Sequence, residues 1–109
     1  MARRRATRVR AEGATQVGFV GTNEKFTATL VDISPFGLSV KSPREVKAGT
    51  VFRTGIRVGM EYFRAAAVVR RQTPGLFAVE FLSMTPMDRE MMRRLYLRLQ
   101  MTARDKPAD

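Results

Sequence analysis

A chain of 109 residues with 44% hydrophobic and 28% charged side chains has material for one modest core and no room for a second domain. Twenty Lys+Arg against ten Asp+Glu leave a net charge of +10, so the natural partners are anionic: nucleic acid, nucleotide or an acidic membrane surface. Cys and His are both absent, which excludes a disulfide framework, a zinc finger, a cysteine nucleophile and a histidine general base.

The first element is an arm. Residues 1–10 hold Arg3, Arg4, Arg5, Arg8 and Arg10 and no acid. Such a run buries too little apolar surface to offset its ordering entropy, and residues 1–12 are expected to be a flexible basic arm. The arm is not expected to serve as a secretory leader, because Glu12, Thr15 and Gln16 stand where an apolar stretch would be needed. Uninterrupted apolar runs such as Ala65 to Val69 fall far short of the roughly 20 residues that cross a bilayer, so no membrane insertion is expected. A soluble protein of the reducing cytoplasm follows as the expected location.

Period-two patterning then begins, weakly at Gln16 to Val20 and clearly at Phe26, Ala28, Leu30, which alternate with Thr27 and Thr29. Leu38 and Val40 alternate with Ser39 and Lys41, and Phe52, Thr54, Ile56 and Val58 with Val51, Arg53, Gly55 and Arg57. Two further segments, Tyr62 to Arg71 and Leu76 to Leu82, put Phe63, Ala65, Ala67, Val69 and then Phe77, Val79, Phe81 on single faces. Turn chemistry separates them at Ser34–Gly37, Ser42-Pro43, Lys47–Gly49, Gly59–Glu61 and Thr73–Gly75. Six short strands at regular spacing predict an antiparallel barrel or sandwich within residues 13–102. The period then changes to that of a helix over about residues 85–102, with Thr85 as N-cap, Pro86 at the first helical position and Asp88 three residues after the cap. Met87, Met91, Leu95 and Leu99, with Met84 and Met92 alongside, form its apolar face, which either closes one end of the barrel or presents pliable methionines to a partner. Residues 103–109 read as a disordered tail.

Two short patterns carry chemistry. Arg4-Arg5-Ala6-Thr7-Arg8 is an RxxxR, a spacing that by itself is common in so arginine-rich a chain. Asp32-Ile33-Ser34-Pro35-Phe36-Gly37 is a DxSxxG at a strand junction, with a chance expectation of about 0.01 in a chain of this composition. Taken alone it has two readings: a ligand site, or a self-contained turn in which Asp and Ser satisfy their own backbone and Gly supplies a positive φ.

The order and separation of the two motifs, followed by a barrel and a terminal helix, resemble the PilZ domain over nearly the whole chain. Val68-Val69-Arg70 and Phe77-Ala78-Val79-Glu80-Phe81 are similar to that family's late strands, with Ala78 where a Gly is common and Phe36 where a second Gly often stands. The resemblance implies a six-stranded antiparallel PilZ-type barrel with a C-terminal helix and a flexible N-terminal arm, binding the bacterial messenger cyclic di-GMP through Arg4, Arg8, Asp32, Ser34 and Gly37. Arg5 is a further candidate, as is Arg3, whose place is similar to that of a long basic residue in members that take up two stacked ligand molecules. The chemistry suits the ligand. A guanidinium grips phosphate as a fork, pairs with guanine O6 and N7 and stacks on the base, none of which lysine does as well. Asp32 can accept from guanine N1–H and the exocyclic amine, Ser34 offers a hydroxyl, and Gly37 allows close backbone approach.

A receptor of this kind is expected to order its arm on the ligand and so change the surface shown to an unidentified downstream protein in motility or biofilm regulation. It is expected to be a monomer, without enzymatic activity, a metal, another cofactor or a specific nucleic-acid partner. Two other readings compete: a PilZ-like docking adaptor that binds no nucleotide, and a barrel that binds single-stranded nucleic acid nonspecifically. The latter is poorly supplied with stacking platforms, having no Trp, two Tyr and seven Phe that fall mostly on core faces.

Overall fold

The computed structural model describes residues 8–10 and 15–105. Among the described residues seven strands and a helix follow in order: β1 (Val9–Arg10), β2 (Gln16–Val20), β3 (Lys25–Ser34), β4 (Gly37–Lys41), β5 (Val51–Val58), β6 (Glu61–Thr73), β7 (Leu76–Ser83) and α1 (Pro86–Asp105). All pairings are antiparallel, in the order β1-β3-β2-β5-β6-β7-β4, and β4 returns to pair with β3. That last pairing closes β2 to β7 into the expected six-stranded barrel. β1 is an extra strand that lies along β3 beyond the end of β2.

Alternation builds the strands as read. Val17, Phe19, Ala28, Leu30, Leu38, Val40, Phe52, Ile56, Phe63, Ala65, Ala67, Val69, Phe77 and Val79 are all buried in one core cluster. Phe19, Phe26, Phe52 and Phe77 form its aromatic centre, with ring centroids 5.2–6.2 Å apart in stacked, tilted and edge-on arrangements. The β6–β7 hairpin turns on Pro74 and Gly75, whose φ of +80° is the left-handed geometry that the third turn position requires and that a side chain would resist.

Two expectations are corrected at the chain ends. The basic arm was expected to be flexible through residue 12, yet Val9 and Arg10 pair with Ile33 and Asp32, and Val9 is 5% exposed within the core cluster. One β-branched side chain in an apolar socket offsets the ordering cost of a two-residue strand. The helix was expected to end near residue 102 ahead of a disordered tail, but it continues to Asp105. Residues 1–7, 11–14 and 106–109, and with them the rest of the arm and tail expectations, lie outside the described residues.

The start of α1 follows its capping signal. Thr85 Oγ1 accepts the Asp88 backbone N–H at 3.0 Å, and its hydroxyl donates to Asp88 Oδ2 at 2.8 Å. The opposite carboxylate oxygen of Asp88 accepts the Arg64 N–H at 3.0 Å and ties the cap to β6. The buried stripe is Met92, Leu95, Tyr96 and Leu99, rotated from the expected one, and Met87 is 72% exposed. The i, i+3, i+4, i+7 set follows the helical period more closely than a strict every-fourth repeat, which drifts around the axis. α1 packs on β6 and β1. No described helix is long and apolar enough to cross a membrane.

Candidate functional site

The outer face of the barrel where β1, β3, β4, β7 and β6 run side by side carries the site, and two strand irregularities create it. In β3, Leu30 pairs with Val40 and Asp32 with Ser39, so Val31 is an extra residue. Ala28 and Leu30 point inward, and strict alternation would send Asp32 after them. The bulge shifts the phase: Ile33 takes the buried position and Asp32 turns outward. In β6, Val69 pairs with Val79 and Arg71 with Ala78, so Arg70 is the extra residue. Strict alternation would send Arg71 after Ala67 and Val69 into the core, and leaving Arg70 out of the ladder returns Arg71 to the outer face.

Register then lays Arg10, Asp32, Ser39, Ala78 and Arg71 in one row across five strands. Arg8, one turn of the pleat before Arg10, reaches back over this row. Its Nη1 donates to Asp32 Oδ1 at 2.6 Å, and Ser39 Oγ donates to the same oxygen at 2.8 Å. Asp32 Oδ2 accepts from no described residue and is available to another donor. Above the row is a cavity of about 270 Å³ lined by Arg8, Asp32, Ser39, Arg71, Ala78 and the flanking Thr73 and Leu76. Its floor is the small pair Ser39 and Ala78. Guanidinium groups stand at two sides, an acceptor stands beside one of them, and Leu76 adds an apolar wall. This shape fits a planar, donor-bearing anion.

The sequence-derived candidates divide. Arg8 and Asp32, 24 positions apart, are brought into direct contact. Ser34 and Gly37 belong to the adjoining hairpin turn and do not line the cavity. Ser34 is buried, and its Oγ accepts the Phe36 N–H at 3.2 Å, closing the turn on itself. Gly37 has no positive φ. It is small for another reason: a Cβ there would overlap the Val79 carbonyl oxygen, so it permits β4 to lie against β7. Arg3, Arg4 and Arg5 lie outside the described residues. Ser39, Arg71 and Thr73 were not singled out from the sequence. Ser39 could have been found as the outward residue of β4 facing Asp32; Arg71 could not, because strict alternation assigns it to the core.

The pair Arg8–Asp32 has side chains 39% and 22% exposed. Ion pairs so open to solvent contribute about 0–1 kcal/mol, so a ligand that offers Arg8 a phosphate or a guanine edge displaces little. Among the described residues no group of His, Cys, Asp and Glu is placed to hold a metal ion.

Comparison with known proteins agrees with this architecture. The model of the PilZ domain matches residues 2–98. Among solved structures, the PilZ domain of Escherichia coli YcgR with c-di-GMP superposes with a TM-score of 0.75 at 19% identity, covering 95% of this chain and 96% of that one. The Klebsiella pneumoniae MrkH–c-di-GMP complex gives 0.82 at 15% identity over 98% of this chain and 56% of that one. The Bacillus subtilis inhibitor of motility MotI/DgrA gives 0.75 at 22% identity over 95% and 54%. The chain thus spans nearly all of the isolated YcgR domain and about half of the two longer proteins. No curated protein matches the sequence.

Proposed function

The chain belongs to the PilZ domain family, and from that membership we propose that it is a cytoplasmic receptor for cyclic di-GMP which acts by contact with a downstream protein. The observation that carries the reading is the meeting of Arg8, the last residue of RxxxR, with Asp32, the first of DxSxxG, at the edge of a cavity that also holds Arg71. Two structural neighbours with the same fold hold c-di-GMP. In this reading a guanine lies over Ser39 and Ala78 between the Arg8 and Arg71 guanidinium planes. Its N1–H and exocyclic amine donate to Asp32, while Arg4 and Arg8 face phosphate and base edge. Ser34 and Gly37 act beside the ligand by holding the turn in shape. Arg5 adds charge, and Arg3 is the candidate contact for a second stacked ligand molecule.

The mechanism follows from where order already exists. Val9 already anchors the arm to β3, so the Val9–Arg10 pairing adds no ordering cost when ligand binds. Each bidentate contact gives roughly 1–3 kcal/mol and each ordered residue costs roughly 1–2 kcal/mol. The balance is a dissociation constant in the sub-micromolar to micromolar range, about −8 to −10 kcal/mol. The wrapped arm becomes a new surface for the downstream partner. The reading as a nonspecific nucleic-acid barrel has little support, since Phe19, Phe52, Phe63 and Phe77 are fully buried and cannot stack with bases.

Isothermal titration with cyclic di-GMP tests the site. Arg4→Ala, Arg8→Ala and Asp32→Ala are each expected to weaken binding at least tenfold. Unchanged binding in all three, or no heat with the native chain, overturns the assignment.

A further inference from the structure

On the far side of the hairpin turn from the nucleotide site, a second cavity of about 350 Å³ opens between that turn, the end of β7 and the first half of α1. We infer that this groove is the docking site of a partner protein's acidic amphipathic helix. The reading is independent of the nucleotide site.

Three apolar side chains meet there that the fold does not bury. Phe36 is 48% exposed, Leu82 51% and Leu97 48%. They come from three different elements and converge on one groove, whereas scattered single apolar residues would need no explanation. Leu82 is there because of a third strand irregularity: Ala67 pairs with Phe81 and Ala66 with Ser83, so Leu82 is the extra residue and stands out of the ladder. The floor is firm, with Met92 1% exposed and Phe81 in edge-on contact with Phe63 at 5.7 Å.

The kind of occupant follows from what the groove offers. β7 is paired with β6 along its length and with β4 as far as Glu80, which leaves beside the groove an edge of only Leu82 and Ser83 beyond Phe81, too short to take an added strand. The Phe81 N–H is already given to the Phe36 carbonyl oxygen at 2.8 Å. A partner must therefore satisfy its own backbone and bring side chains, which is the property of a helix laid in a groove. Arg89 and Arg93 stand on the rim, and no carboxylate lines the cavity. Of the two acids flanking Arg89, Glu90 is held by Arg93 and Arg94 at 3.1 and 3.3 Å and Asp88 by Thr85 and the Arg64 N–H, and Arg89 has no described ion-pair partner. Apolar anchors flanked by Asp or Glu complement this rim, and a basic segment would be repelled.

The test uses the full chain, labelled with ¹⁵N and free of nucleotide. It is titrated with a short synthetic helix carrying Leu at i, i+3, i+4 and i+7 and Glu elsewhere, and separately with the same helix carrying Lys in place of Glu. Saturable shifts at Phe36, Leu82 and Leu97 with the acidic helix are expected, with at least tenfold weaker binding of the basic one. Arg89→Glu combined with Arg93→Glu is expected to reverse that preference. Leu97→Ser is expected to weaken binding at least tenfold with an unchanged melting temperature, because its side chain is half in solvent. Equal binding of the two helices overturns the proposal, as does a shift pattern away from the groove. A self-association that Leu97→Ser abolishes overturns it in favour of a second copy of this chain. Because no nucleotide is present, the result does not depend on whether cyclic di-GMP binds.

Discussion

Asp32 sits at the centre of the site because its two carboxylate oxygens have different duties. Oδ1 holds Arg8 and Ser39, and in the proposed function Oδ2 receives the ligand's donor. Replacing Asp32 or Arg8 by Ala should therefore hardly alter folding, by less than about 1 kcal/mol, while binding falls at least tenfold. Matched urea melts and titrations separate the two effects. Arg8→Lys keeps the charge and removes the planar fork; we expect it to recover less than a tenth of the native affinity. Arg71 is the more informative residue, since only the folded chain brings it to the cavity. Arg71→Ala should weaken cyclic di-GMP about tenfold, the loss of a cation–base contact of roughly 1–2 kcal/mol, and full affinity in that variant would remove Arg71 from the site. The DxSxxG glycine behaves in the opposite way. Gly37→Ala drives a methyl into the Val79 carbonyl and should destabilise the barrel by roughly 1–3 kcal/mol before any ligand is added.

At the scale of elements, the helix gives the sharpest contrast. Leu95→Ala empties a fully buried position and should cost about 2–5 kcal/mol in thermal or chemical unfolding, whereas Met87→Ala, on an exposed site, should stay within about 0.5 kcal/mol. Thr85→Ala removes the acceptor of the Asp88 N–H and should cost about 1 kcal/mol. What was legible in the sequence follows the same division. Strand periods, turn residues and the cap are local signals, and the six barrel strands, their turns and the start of α1 were readable from them. The apolar face of α1 was read one step round the helix, because Met87 and Leu99 both fit a four-residue repeat that drifts over three turns. The two-residue β1 was invisible: a lone Val9 between arginines carries no period, and its burial depends on a socket made by distant strands. Asp32 was found through its motif. Ser39, Arg71 and Ala78 became a site only by cross-strand register, and the bulges that set this register have no mark in the local pattern.

For the molecule as a whole, charge and closure set the conditions of binding. A chain with net charge +10 that meets a doubly anionic ligand should lose affinity as ionic strength rises, a trend that titrations between low and near-physiological salt would expose. Ligand at a hundred times its dissociation constant should add about 2.7 kcal/mol to the folded state and raise the melting temperature by roughly 10 °C. A melting temperature that does not move would argue against a single cooperative unit that includes the cavity. The extra residue at Val31 can be removed without reversing the facing of its neighbours. Deleting it would put Asp32 directly after Leu30, restoring simple alternation with the carboxylate still outward and Ile33 still in the core. A chain shortened by that residue should therefore still fold, and any change in its ligand affinity would report the lost bend of β3 alone.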